Sequence, residues 1–153
     1  MTGITWEIKA FGDLSVDELY DCLKLRVDVF VVEQECPYPE LDDKDRHPDT
    51  LHLTGRAADG RLAAYLRILS PGVSFDQASI GRVAVAASSR GEGLSREMMN
   101  RAVSRVQDQW PGSGIRIGAQ EYLEKFYVSL GFKTVTHPYL EDGIPHLDME
   151  MNP

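Results

Sequence analysis

The chain has little cysteine, no long apolar run and fewer positive than negative side chains. Its two cysteines, Cys22 and Cys36, are too few for a disulfide framework and predict a reducing compartment. No apolar stretch approaches membrane-spanning length, and the first residues, 1–4, lack the basic start and apolar core of an export signal. We therefore expect a cytoplasmic protein with no membrane partner.

Lysine and arginine together number 16 against 24 acidic residues, which gives a net charge of −8. A surface of this sign repels the nucleic acid backbone, so we expect no nucleic acid partner, and any anion site must be local. With 153 residues, of which 42% are hydrophobic, the chain can build one core without disulfides or metals. We expect a single domain that spans residues 1–153.

Residues 79–110 combine a strand-like segment, a glycine-containing turn and a helical segment. Ser79–Ala87 is short, small and partly β-branched, whereas apolar residues recur at helical spacing from Leu94 to Trp110. The two glycines of the turn between them allow tight backbone geometry, and the first amides of a helix have no intrahelical acceptor. These amides, the helix dipole and the charge of Arg90 predict a site for phosphate or pyrophosphate.

The spacing in this turn differs from two common phosphate loops. No Gly-Lys-Ser/Thr follows, as a P-loop requires, and the third glycine of the dinucleotide fingerprint is missing. Arg90–Ser95, which reads Arg-Gly-Glu-Gly-Leu-Ser, resembles the Arg/Gln-x-x-Gly-x-Gly/Ala signature of GNAT N-acyltransferases, with Ser95 where Gly or Ala is usual. That signature holds the pyrophosphate of coenzyme A. Taken alone, the turn could also be an ordinary serine-rich helix start.

The rest of the chain alternates strands with helices. We predict strands at Thr5–Lys9, Leu51–Ala58, Arg61–Leu69, Ser79–Ala87, Ile115–Ala119, Phe132–Val135 and His146–Met151. A capping box, Ser15 with Glu18, begins a helix. Its predicted buried face consists of Val16, Leu19, Tyr20, Leu23, Val27, Phe30 and Val31. A second helix covers Tyr122–Leu130, and residues 137–145 are predicted to form a loop.

The acidic stretch 41–48 contains three aspartates, but it lacks the glycine and the terminal glutamate of an EF-hand, so we expect no metal site.

Further segments extend the resemblance over nearly the whole chain. Residues 122–132, Tyr-Leu-Glu-Lys-Phe-Tyr-Val-Ser-Leu-Gly-Phe, resemble a second GNAT signature. Residues 25–34, 36–38, 80–83 and 141–146 are similar to the ElaA-like group of that superfamily. The resemblance implies an α/β (α+β) GNAT fold, with a central mixed, mostly antiparallel sheet of six to seven strands, a splayed parallel pair and about four flanking helices. It further implies acetyl-CoA as cosubstrate, no metal and a small-molecule or peptide amine as acceptor, and it leaves a homodimer open.

N-acetyl transfer requires a neutral amine, and because an amine has a pKa of about 10.4, a base or a desolvating site is needed at neutral pH. The candidate bases are Glu33, His52, Glu141 and His146, of which we expect His146 and Glu33 to serve. The resemblance places the hydroxyl of Tyr127 near the thioester sulfur. A phenol pKa of about 10 against about 8.5 for a thiol favours hydrogen-bond donation over full proton transfer.

The cofactor contacts follow from the same resemblance. Backbone groups of Val83, Ala84 and Val85 would pair with the pantetheine arm as an added strand does. The amides of the turn would hold the pyrophosphate, through Arg90, Gly91, Glu92, Gly93, Leu94 and Ser95. Two alternatives remain open: a coenzyme A-binding sensor without turnover, and a transferase that uses a longer acyl-CoA or an acyl-carrier donor.

Overall fold

The first half of the chain forms a four-stranded antiparallel sheet. The computed structural model describes residues 3–153. The strands lie side by side in chain order: β1 (Thr5–Ala10), β2 (Leu51–Arg56), β3 (Leu62–Leu69) and β4 (Ser79–Val85). All eight residues of β3 are buried, because helices pack on both faces of the sheet.

The first helix, α1 (Val16–Val27), begins at the predicted capping box. The Ser15 hydroxyl accepts a hydrogen bond from the amide of Glu18, and the Glu18 carboxylate accepts one from the Ser15 amide. The helix then widens into a π-helical turn, Asp28–Glu33. This turn carries the chain toward the end of β4, where Arg90 bonds both Glu33 and the Val85 carbonyl.

The predicted buried face of α1 is wrong in part, although Leu19, Leu23 and Phe30 are half-buried as expected. The structure buries Cys22, Leu25 and Arg26, while the side chains of Val16 and Tyr20 are 84% and 68% exposed. The helix is rotated because Arg26 points inward and bonds buried carboxylates. An apolar pattern cannot reveal a core face that includes a buried cation.

The longest helix, α2 (Leu94–Gln109), packs on the sheet face opposite α1 and buries the side chains of Met98, Met99, Ala102 and Val106. A short helix, α3 (Glu124–Ser129), follows a 3₁₀ turn. None of the helices in residues 3–153 is long and apolar enough to span a membrane.

The second half of the chain forms another antiparallel sheet. Its central strand, β8 (Ile144–Met151), pairs with β5 (Ile115–Gln120) on one side and with β6 (Lys133–Thr134) and β7 (Tyr139–Glu141) on the other. Strand β7 lies inside the predicted loop. It forms a hairpin with β8, whose turn residues Asp142 and Gly143 have φ angles of 51° and 78°, as a tight Asp-Gly turn requires.

The two sheets meet where β4 and β5 run parallel, and they then separate. Ala78 and Ile115 form a parallel bridge, and the Arg116 amide donates to the Ala78 carbonyl at 2.9 Å. Past this bridge β4 pairs with β3 and β5 pairs with β8. The predicted GNAT architecture with a splayed parallel pair is confirmed. The described residues form eight strands, where six to seven were predicted, and three α-helices, where about four were predicted.

A β-bulge bends β4 at the point of separation. The register between β3 and β4 shifts between Tyr65 and Arg67, so that β4 contains one extra residue. Arg82 lies in this bulge with a φ of 52°. A bulge increases local twist and interrupts pairing, so it turns the following residues of β4 away from β5.

Candidate active site

A cleft of about 870 Å³ opens between β4 and β5 where the strands separate. It receives residues from both strands, from the π-helical turn, from α3 and from the β7–β8 hairpin. The predicted site residues on its wall are Glu33, Val83, Ala84, Val85, Arg90, Ser95, Tyr127 and His146. The structure therefore brings the candidate catalytic groups and the start of the glycine turn to one cavity.

The glycine turn itself lies beside the cleft. Gly91 and Gly93 have φ angles of 83° and 76°, and a Cβ at either position would meet no atom within 4 Å. Within residues 3–153, no carbonyl accepts a hydrogen bond from the amides of Gly91, Glu92 and Gly93. Free amides and open space at the start of a sixteen-residue helix, α2, are what an anionic group requires. Leu94 contributes its backbone only, since its side chain is buried in the core.

The side chain of Arg90 points toward the π-helical turn. Its guanidinium donates to both carboxylate oxygens of Glu33, at 2.5 and 2.7 Å, and to the Val85 carbonyl at 3.1 Å. The hydrogen bond from Arg90 lowers the pKa of Glu33 below its usual range. With both oxygens bound, Glu33 is a weaker base in this arrangement.

The edge of β4 that faces the cleft has no strand partner among residues 3–153 past the bulge. Ala84 pairs with Tyr65 and Val85 with Ala64 on the β3 side, whereas β5 has turned away toward β8. Val83, Ala84 and Val85 therefore form a strand edge on the wall of the cavity. An extended ligand with amide groups can add there as a strand, with the Val85 carbonyl released from Arg90.

Tyr127 lines this cleft from α3. The ring is held edge-on by Phe126 and Phe132, with centroids 5.2 and 6.0 Å away. No group in residues 3–153 forms a hydrogen bond with the hydroxyl. Burial raises the pKa of Tyr127 to about 12, so the phenol stays protonated and can donate.

His146 lies on β8, opposite Gln120 of β5 and Tyr139 of β7. Its Nδ1 is 2.7 Å from the Ile144 carbonyl oxygen, which can only accept, so Nδ1 carries the proton. The neutral ring then keeps the lone pair on Nε2. Glu141 Oε2 lies 3.6 Å from Nε2 and would stabilise the imidazolium once a proton is taken.

His52 does not reach the cleft. It is buried at 1% exposure, with Nδ1 2.6 Å from the Tyr65 hydroxyl and Nε2 3.1 Å from the Asp45 carbonyl. Burial lowers the pKa of His52. Both nitrogens are occupied, so His52 is a structural residue of the core and not a base.

A closed ring of six alternating charges, which the sequence analysis missed, supports one wall of the cleft. We call it the charge ring, and its members in order are Arg26, Glu40, Arg82, Asp42, Arg67 and Asp45. Each arginine bonds two carboxylates, and five of the six ion pairs are 3.2 Å or shorter.

The segment that follows the π-helical turn carries the three carboxylates of the charge ring. Their ion pairs hold this segment against α1, β3 and the bulge of β4. The charge ring holds the pKa of Asp42 at about 2, because Arg67 and Arg82 offset the burial of the carboxylate. Two sequence signals could have indicated it, namely Arg26 inside Leu-Arg-Val and Arg67 inside Leu-Arg-Ile. A cation within a buried apolar segment requires a carboxylate partner.

The two cysteines offer no activated thiolate. Burial raises the pKa of Cys22 to about 12, and Cys36 Sγ donates to the Asp142 carbonyl at 3.4 Å. Within residues 3–153, no three His, Cys, Asp or Glu side chains are grouped to hold a metal ion.

Comparison with known proteins agrees with this geometry. Residues 27–153 match the acetyltransferase (GNAT) domain family. The chain belongs to the GNAT family. Protein ElaA of Escherichia coli is 42% identical over 146 residues, which is 95% of each chain.

Solved GNAT structures superpose closely on this chain. A crystal structure of an acyl-CoA N-acyltransferase from Pseudomonas aeruginosa has a TM-score of 0.91 at 43% identity, over 97% of this chain and 99% of the other. The crystal structure of E. coli ElaA has a TM-score of 0.91 at 40% identity and the same coverage. A CoA-dependent acyl-homoserine lactone synthase, with 17% identity and a TM-score of 0.79, covers 98% of this chain and 83% of its own and shares the fold.

Proposed function

We propose that this GNAT acyltransferase moves an acetyl group directly from acetyl-CoA to the amine of an acceptor. One observation supports the proposal most: Arg90 and Ser95 of the glycine turn, Tyr127 and His146 all line one cleft between separated strands. A donor bound at the turn and an acceptor in the cleft would therefore meet between Tyr127 and His146.

The residues present fit coenzyme A. The free amides at Gly91–Gly93 and the open space in front of them suit a pyrophosphate. The strand edge of Val83–Val85 suits the amides of the pantetheine arm. The two features are consecutive in the chain, since the glycine turn follows the end of β4.

The two candidate bases differ in whether an atom that can accept a proton is free. His146 holds its Nε2 lone pair free, whereas both oxygens of Glu33 are bound by Arg90. We assign His146 the removal of the amine proton, directly or through one water, and Glu141 the stabilisation of the imidazolium. Glu33 is the second candidate base. Its carboxylate becomes free to accept a proton when Arg90 releases it and binds another anion.

Tyr127 acts on the leaving group. The amine nitrogen forms a bond to the thioester carbonyl carbon, the C–S bond breaks, and negative charge develops on sulfur. A hydroxyl that donates to this sulfur stabilises the charge most in the transition state. No covalent intermediate on the protein is required, because neither cysteine is an activated nucleophile.

The test is thiol release from acetyl-CoA with a panel of polyamines, amino acids, peptides and aminoglycosides, with the acetylated product identified by mass spectrometry. We expect release that depends on an amine and yields an N-acetyl product. Tight coenzyme A binding with no release for any amine would favour the sensor alternative. Faster turnover with longer acyl-CoA donors would show that the transferred group is a longer acyl chain and not acetyl.

A further inference from the structure

The end of the cleft away from the glycine turn is lined by polar and cationic groups. We call it the cationic end. Its residues are Lys44, Arg67, Ser74, Ser79, Gly81 and Arg82, together with Asp42, which is bound by both arginines. Most of them lie on β3, β4 or the loop before β4, and Lys44 comes from the facing segment that the charge ring fastens. The proposed reaction assigns no role to these groups.

Arg67 carries a donor without an acceptor. Its side chain is 5% exposed, and its two terminal nitrogens bond Asp42 and Asp45. Its Nε is buried and has no hydrogen-bond partner within residues 3–153. Because an unsatisfied buried donor costs about 1–3 kcal/mol, such a group points to a missing acceptor atom.

Open space lies beside this arginine. Arg67 pairs across the sheet with Gly81, so the two residues face the same side. A Cβ at Gly81 would meet no atom within 4 Å, although Gly81 has an ordinary φ angle. The absent side chain leaves room for a ligand group next to the guanidinium.

Lys44 and Ser79 complete the set of donors. Lys44 Nζ donates to the Ser74 hydroxyl at 2.9 Å, and it forms no ion pair with a carboxylate among residues 3–153. Ser79 pairs with Leu69 two positions along from Arg67 and Gly81, so it lies on the same face. A hydroxyl and an ammonium therefore flank the open space.

The charges at this end favour an anion. The charge ring is neutral, with three arginines and three carboxylates, and both oxygens of Asp42 are already bound. Lys44 adds one positive charge that no acidic side chain neutralises. In a chain with a net charge of −8, this local excess of positive charge in a concave site selects a negative group.

We propose that the cationic end binds a carboxylate of the acceptor, so that the acceptor is an amino acid or a short peptide that carries both an amine and a carboxylate. The inference rests on the proposed acetyl transfer and names the substrate class for it. Two carboxylate oxygens can accept from Lys44 and Ser79 next to the buried Arg67 guanidinium, while the amine extends toward His146 along the same cleft. A simple polyamine lacks this second point of attachment.

The experiment compares amines that differ only by the carboxylate: L-lysine with cadaverine, L-tyrosine with tyramine, and L-histidine with histamine. Thiol release from acetyl-CoA is measured for each member of a pair. Because a charged hydrogen bond contributes about 1.5–3 kcal/mol, we expect the carboxylated member to have about tenfold or higher kcat/KM, through a lower KM.

Two lysine variants test whether the cationic end causes the difference in KM between the paired amines. Lys44→Gln should raise KM for the carboxylated member about tenfold and leave the decarboxylated member unchanged. Lys24→Gln, which removes an exposed lysine paired with Asp28 on α1, should change neither. Equal or faster turnover of the amines without a carboxylate would overturn the inference and leave acetyl transfer standing. No release with any amine would remove acetyl transfer and this inference with it.

Discussion

Replacement of Tyr127 by phenylalanine tests whether the Tyr127 hydroxyl acts as a hydrogen-bond donor or as a general acid. The folded chain raises the pKa of Tyr127 to about 12, while an ordinary thiol has a pKa of about 8.5. Full transfer of the phenol proton to the thiolate is uphill by about 3.5 units, or about 5 kcal/mol. We therefore expect the hydroxyl to donate without losing its proton.

The size of the effect follows from that role. Loss of one positioned donor lowers kcat by about 10²–10³-fold, and acetyl-CoA affinity should change little. Stability should also change little, because the hydroxyl has no protein partner to leave unsatisfied and the ring keeps its contacts with Phe126 and Phe132. Tyr20→Phe, an exposed tyrosine on α1, is the matched control and should behave as the parent.

The assay is thiol release under single turnover, together with the pH dependence of kcat and thermal melting. The reasoning predicts no alkaline decline of kcat caused by Tyr127 below about pH 12, because its pKa lies there. An unchanged single-turnover rate in folded Tyr127→Phe protein would remove this residue from the mechanism. A decline near pH 9 that the substitution abolishes would show a general acid with a much lower pKa.

Three further predictions concern the glycine turn, the charge ring and the core histidine. Gly93→Asp should bind coenzyme A at least tenfold more weakly than Gly93→Asn by calorimetry, since Asn tolerates the left-handed φ of 76° without adding charge; equal affinities would place the pyrophosphate elsewhere. Arg26→Met should lose about 3–5 kcal/mol of unfolding free energy in urea, because Glu40 and Asp45 remain buried with one fewer partner; a loss below 1 kcal/mol would mean that water compensates them. The pKa of His52 is lowered in the folded chain, so below about pH 6.5 the unfolded chain binds a proton that the folded chain does not, and stability falls as the pH is lowered. His52→Gln should therefore make the melting temperature fall less steeply as the pH is lowered. Identical slopes for the parent and the variant would mean that other groups cause the decline.

The sequence predicted features that depend on local rules. The capping box at Ser15 and the glycine turn at Arg90–Ser95 need only neighbouring residues, and both formed as expected. The splayed strands followed from the resemblance and from an intervening helix. Strand β7 was missed because only three residues pair, although Asp142-Gly143 carried the hairpin signal.

What the sequence could not supply depends on distant parts of the chain. The charge ring joins residues separated by as many as 42 positions, and no local pattern pairs Arg82 with Glu40. The same bonding rotates α1 so that Arg26 is buried. The Arg90–Glu33 pair spans 57 positions. In this pair Glu33, which we predicted to be a base, is bound by Arg90, which we predicted to bind the pyrophosphate.

The charge ring also limits how proteins of this kind can diverge. Each member bonds two neighbours of opposite sign, so an inherited change at one position leaves a surplus charge until a second change neutralises a neighbour of the opposite sign. Evolution of the wall that it supports must then pass through less stable ancestors, or keep all six positions. The β7–β8 hairpin carries no such obligation, and new acceptor preferences should arise there first.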